Sequence, residues 1–302
     1  MNDTKKLFSI LNIITVVLLL TATVCGVLSF NTTHTFETIN QYSDTVKMWG
    51  YGIYKHDSFF KAPLFIGTDL AILALVLPLS AIAFVKARRQ PSLENYIECF
   101  GNLAILLYYC ASLSFGVTYN KLHLVYIALF SVCLFSVCIL MGKFHTATAL
   151  QEKVCTFKVT NGIKVFLILS GISLFVAWLP DIITSLAKGR SLELIEVYTT
   201  EVTYVLDMGI ISPVMLIAFF LVRKHSYIGY VLLRMILKVG KYLGIILPMQ
   251  TFFQLLAGID LPVPALITKV GIFVALAAFA TYFERKIKKD TQYIAQLQVC
   301  LK

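Results

Sequence analysis

Charge is what this sequence has least of. Only 14% of its 302 residues are Asp, Glu, Lys or Arg, against roughly 25% in an ordinary soluble domain. A surface so poor in charge would not stay dissolved, which makes lipid the expected solvent. Signature motifs are missing as well. No P-loop, GxSxG, HExxH or CxxC stretch occurs, so nothing marks nucleotide, serine-hydrolase, zinc-protease or dithiol chemistry, and no cofactor is expected. The five histidines, His34, His56, His123, His145 and His225, are scattered. No metal site is expected of them, and His56-Asp57 reads as a solvated loop pair. None of the seven cysteines falls in an expected exterior loop, which argues against a disulfide framework. They read as small apolar packing residues.

What remains is apolar: 58% of the residues, with a mean hydropathy of +0.81. Crossing a hydrocarbon core takes about 20 residues of helix. Runs of that kind stand at 7–30, 64–85, 97–118, 123–142, 165–187, 198–222, 242–258 and 265–283. The expected fold class is therefore all-α, a polytopic transmembrane helix bundle of about eight spans. The first run is long for a signal peptide, and Val24 before Cys25 is not the small residue of a lipobox. It reads as a retained helix. The basic stretch 226–241, ahead of the short seventh run, reads as a helix along the membrane surface.

The net charge of +10 would suggest nucleic acid in a soluble protein. Here no nucleic-acid module is present, and the cations sit in short connections. With the N-terminus inside, sixteen Lys and Arg fall on cytoplasmic segments and six on exterior loops. That bias predicts an N-in, C-in topology with an even number of spans, an exterior loop at 31–63 and a cytoplasmic tail at 284–302. Trp49 and Trp178 are expected at the outer interface. Helix two (Thr68, Asp69, Pro78, then Lys86 and Arg88) resembles helix six (Thr203, Asp207, Pro213, then Arg223 and Lys224). The likeness suggests a weak parallel 4+4 repeat.

Charges inside hydrocarbon cost about 2.5–3.5 kcal/mol each on insertion scales, so they are the first candidates for function. Asp207 lies about two turns into helix six, on one face with Thr203 and beside Tyr204. Asp69 lies near the start of helix two, where the helix dipole also favours a carboxylate. Asp181 follows Pro180 near the outer end of helix five. Each is compatible with binding a cation, proton or amine, and equally with packing. Lys269 is the candidate counter-ion, or a snorkelling lysine. Tyr108, Ser112 and Tyr119 form one stripe on helix three that would line a cavity or hold helices together. Arg234, Lys238 and Lys241 repeat at i, i+4, i+7, for which anionic lipid headgroups are the simplest partner.

Three stretches carry a resemblance: Tyr51-Gly52-x-Tyr54-x-x-Asp57-Ser58-x-Phe60-x-Ala62 with Gly67-Thr68-Asp69; Ser114-Phe115-Gly116-Val117-x-Tyr119-Asn120; and Tyr198-Thr199-Thr200-Glu201-Val202-Thr203 with Leu206-Asp207-x-Gly209-x-Ile211-x-Pro213. The chain resembles a family of uncharacterised bacterial multi-pass membrane proteins. The resemblance implies a bacterial plasma membrane and brings no activity, substrate or catalytic residue. These stretches fall in the expected outer half, which points to a polar pocket opening outward.

Three function classes remain. The first is a small-solute or ion transporter, or a solute-binding membrane protein, built on Asp69, Asp207 and the helix-three hydroxyls. The second is an intramembrane enzyme for a lipid-linked or envelope substrate, with Asp57, Asp69 or Glu201 as acid-base residues near the outer surface and the first exterior loop as a lid, which would need a lateral opening between helices. The third is a sensor or scaffold subunit, for which the short tail offers no signalling domain.

Overall fold

The computed structural model describes residues 2–150 and 159–300; the side chains at 2–4, 146–150, 264–265, 268–269 and 290–300 lie outside that description. The described chain runs through eight helices: α1 (Asn2–Val27), α2 (Ala62–Arg89), α3 (Leu93–Gly116), α4 (His123–Leu150), α5 (Asn161–Lys188), α6 (Val202–Arg223), α7 (Tyr227–Leu256) and α8, which opens at Val263–Leu266 and continues as Ile272–Cys300. Six of them, α1 to α6, are long and apolar enough to cross a membrane. Their outward faces stay greasy. Ile13, Val17, Phe135, Leu169 and Phe220 are each more than half exposed, a pattern that water would penalise and lipid tails would not. The helices alternate in direction, so the connections after α1, α3, α5 and α7 gather at one end, called here the loop end. Lys5, Arg88, Lys143 and Arg223 mark the other, basic end.

Local sequence sets the boundaries. Ser92 caps α3 by accepting a hydrogen bond from the Asn95 N–H, and Thr160 does the same for α5 at Ile163. Both supply an acceptor that a helix start lacks. In α2 the turn Ile72–Val76 is a π-helical turn ahead of Pro78, and in α6 the turn Asp207–Ile211 is another ahead of Pro213. Proline removes one ladder donor and crowds the carbonyl four residues back. A widened turn absorbs that crowding.

α7 is the hub, packed against α2, α3, α6 and α8. This corrects the reading of 226–241 as a separate surface helix, since it is continuous with the seventh apolar run in one helix of 30 residues. The reason is electrostatic. Arg234 donates to Glu94 at 2.6 Å and to Glu98 at 2.8 Å, Lys238 to Glu98 at 2.9 Å, Lys241 pairs with Glu284, and Lys288 reaches Glu98 at 2.8 Å. The basic stripe faces carboxylates on α3 and α8, so protein groups meet its charge.

The 31–63 connection is folded, and it adds a small β element to the all-α expectation. Strands β1 (Phe36–Ile39) and β2 (Thr45–Met48) pair antiparallel, with Phe36 opposite Met48 and Ile39 opposite Thr45. Asn40 holds the turn, its Oδ1 accepting the N–H groups of Tyr42 and Asp44 at 2.9 Å. Trp49 is fully buried and donates to the Ser29 carbonyl at 2.8 Å. It anchors the loop in a cluster with Tyr54, Ile66 and Phe253, which corrects its expected place at the interface.

Candidate functional site

The site begins at Asp69, in the second turn of α2 and fully buried. Two phenols hold it. Tyr54, in the short turn Gly52–Tyr54, donates to Oδ2 at 2.7 Å, and Tyr109 of α3 donates to Oδ1 at 2.5 Å. No described lysine, arginine or histidine pairs with Asp69, so neutral donors supply its whole described hydrogen bonding. α1 closes the space from behind through Gly26, where a Cβ would stand 1.6 Å from Asp69 Oδ2. Gly26→Ala should therefore cost about 1–3 kcal/mol by overpacking, read as a lower melting temperature in detergent; an unchanged Tm would show that Asp69 moves freely.

A second carboxylate sits nearer the loop end. Asp57 is fully buried, and its Oδ1 accepts the Thr118 N–H and the Tyr198 hydroxyl, each at 2.9 Å. Its Oδ2 faces the buried Thr118 side chain, which together with the Thr118 N–H favours the ionised carboxylate. Tyr126 of α4 links the two acids. Its buried hydroxyl lies beside the Asn120 side chain, within electrostatic reach of both Asp69 and Asp57. Around Asp57 the surface is charged. The Ser58 hydroxyl bonds Glu196, Lys61 pairs with Glu201, and the Lys61 ammonium lies 4.2 Å from the Tyr198 ring centre.

Burial pushes the Asp57 carboxyl up to about 7, although the Thr118 N–H, the Tyr198 hydroxyl and the Lys61 charge all pull it down. Burial likewise raises Glu196, against the Ser58 hydrogen bond and Lys61. The sign for stability follows from proton uptake. An unfolded Asp ionises near pH 4, whereas folded Asp57 keeps its proton to about 7. The folded state binds the extra proton between these values, so stability from this group is complete below about pH 4 and is lost as pH rises through about 7. Asp57→Asn should flatten that decline and melt higher than wild type at pH 8. Parallel melting curves for the two proteins between pH 5 and pH 8 would remove Asp57 as the cause.

Above these residues lies a groove of about 1080 Å³ between the hairpin and the segment 185–196. Its lining includes Asp44, Arg190, Glu193 and Glu196. Asn40 donates to the Glu196 carbonyl at 2.8 Å and Gln41 to the Tyr198 carbonyl at 2.9 Å, which ties the hairpin to the far wall. Glu196 thus belongs both to the open groove and to the Ser58–Asp57 cluster beneath it.

Asp207 is held separately. Tyr108 donates to Oδ1 at 3.0 Å and Trp178 of α5 to Oδ2 at 2.9 Å. Trp178 stacks on Tyr204, with ring centres 4.7 Å apart, and Tyr204 donates to Asp181 at 2.8 Å. Neighbouring residues on a helix project about 100° apart. So Tyr108 and Tyr109, side by side on α3, serve Asp207 on α6 and Asp69 on α2.

The structure thus joins Asp69, Asp207, Asp181, Tyr204 and Tyr108 to defined partners. Thr203 and Ser112 are half-buried and make no side-chain hydrogen bond among those described. Tyr119 is 79% exposed beyond the end of α3, beside His123, so it leaves the expected stripe; the helix stops at Gly116 and its periodicity stops with it. Thr200 likewise precedes α6. His56 is exposed while Asp57 is buried, which separates that pair. The Lys269 side chain lies outside the described residues. Sequence reasoning did not single out Tyr54, Tyr109, Tyr126, Tyr198 or Glu196 as site residues. Tyr54 and Tyr198 stand in the motif stretches, but the pairings span 15 to 141 positions, and no helical spacing rule reaches that far. No family model, curated protein or solved structure matches the chain. What the fold and site define is a helical, membrane-type protein with buried, neutrally held carboxylates.

Proposed function

We propose that this is a plasma-membrane protein of about eight spans, with α7 and α8 crossing beside α1 to α6, both termini cytoplasmic and the loop end outside. In this reading it transports or binds a small solute or ion, and Asp69 is its proton- or cation-carrying group. One observation carries the reading. A polar column descends from an open groove through Glu196, Ser58 and Asp57, past Tyr126, to a sealed carboxylate that no described cation neutralises. A structural carboxylate at such depth would be expected to pair with a cation, because an uncompensated charge there is costly. A carboxylate ringed by phenols can carry a proton or a small cation instead, since hydroxyls turn to donate or accept. Asp207, near the same level on α6, is the second carrier, and the shared pattern of Asp, widened turn and Pro in α2 and α6 supports a distant internal repeat.

The enzyme reading is weaker. The lateral groove described below lies at the basic end, away from these acids. The test is reconstitution into liposomes loaded with a pH-sensitive dye. An imposed pH or sodium gradient should drive proton movement above that of empty vesicles, and a rate equal to theirs with both gradients would overturn the proposal.

A further inference from the structure

At the basic end, at the opposite end of α1 and α2 from Asp69, α1, α2 and α4 leave a lateral groove of about 320 Å³. Its walls are apolar: Ile13 and Val17 from α1 and Ala81 and Val85 from α2 line it, and three of these four side chains are about half exposed or more. Its mouth is basic. Lys5, Arg88 and Lys143 come together there from three helices. None of the three has a carboxylate partner among the described residues; the Lys143 ammonium rests 4.6 Å from the ring centre of Tyr96. This sets them apart from Arg234, Lys238 and Lys241, whose charges are all met by glutamates. Between wall and mouth stands Asn12, 5% exposed, with its Oδ1 buried and without a hydrogen-bond partner. A buried amide acceptor left unmet costs about 1–3 kcal/mol.

We propose that this groove seats one anionic phospholipid of the surrounding bilayer. The phosphate lies among Lys5, Arg88 and Lys143, one acyl chain follows the α1–α2 wall, and a small turn of the Asn12 amide lets it accept from a headgroup hydroxyl. The geometry selects this occupant on three counts. An apolar wall more than two turns long suits a chain and not a soluble anion. Three uncompensated cations suit a negative headgroup and not a zwitterionic one. The position at the bundle end matches the depth at which headgroup and tail meet. The seat is distinct from the column at the loop end and holds whichever way that column is used.

The experiment is native mass spectrometry of the full chain in detergent, with equal amounts of phosphatidylglycerol and phosphatidylcholine. One phosphatidylglycerol should be retained in preference, by roughly fivefold per cation and so on the order of a hundredfold. The triple variant Lys5→Gln, Arg88→Gln, Lys143→Gln should lose that preference, while Lys121→Gln at the loop end keeps it. Ala81→Phe leaves the cations and fills the wall, so it should release the lipid; it also decides the matter where the triple variant does not fold. Equal retention of both lipids by wild type, or unchanged preference in the triple variant or in Ala81→Phe, overturns the proposal. So does glycerol phosphate binding as well as the whole lipid, because the wall would then contribute nothing.

Discussion

Proteoliposomes carrying Asp69→Asn should insert and melt like wild type yet show gradient-driven proton movement no faster than empty vesicles. The physical argument rests on what changes and what does not. Asn keeps the volume beside Gly26, where there is no room for more. Of the two phenols, Tyr109 can go on donating to the amide oxygen, while Tyr54 turns its hydroxyl to accept from the new NH2. Packing is preserved and only titration is lost. Asp207→Asn is argued the same way for Tyr108 and Trp178, with one difference. The indole N–H is a donor only, so the amide must present its oxygen to Trp178 and its NH2 to Tyr108. Asp207→Asn should likewise abolish flux. If either variant moves protons at the wild-type rate, that carboxylate is a packing group and the carrier lies elsewhere.

The second large effect is on stability. Glu98→Ala should lower the unfolding free energy by about 3–5 kcal/mol, the range for breaking a buried ion pair from one side. Glu98 accepts from Arg234, Lys238 and Lys288, on two different helices. The Arg234 side chain is only 2% exposed and has few alternatives when Glu98 is gone. Glu94 meets the same guanidinium, but it is 49% exposed, and water takes over much of its role. Glu94→Ala should therefore cost less than about 1 kcal/mol. The comparison is made by thermal melting of both variants in one detergent. Equal, small losses would mean that water in the adjoining cavity of about 550 Å³ already solvates these charges.

The same network shows where a sequence reading stops. Arg234, Lys238 and Lys241 sit at spacings that make one stripe, and a basic stripe near a membrane has an obvious partner in lipid. Their actual partners, Glu94, Glu98 and Glu284, lie 43 to 140 positions away. Helical periodicity shows which residues share a face; it is silent on what that face meets. Trp49 is a parallel case. Indole prefers interfaces on average, but the hairpin and the Ser29 carbonyl offer this one a buried, hydrogen-bonded place. Tyr119 failed for a third reason, since a stripe continues only as far as its helix does.

The composition and the run lengths by themselves determined that this protein is a bundle of long apolar helices, because hydrophobic length is a local property and a bilayer-length helix satisfies its own backbone. They also picked out Asp69 and Asp207, because an acid in an apolar run is conspicuous wherever the run folds. Only the tertiary structure decided what those acids are: groups held by phenols and an indole, Asp69 being tied through Tyr54 to a folded loop. It also decided which lysines and arginines meet carboxylates and which, among the described residues, do not. Those outcomes depend on contacts between distant segments, and a carboxylate's chemistry is set by its neighbours and its burial rather than by its place in the chain.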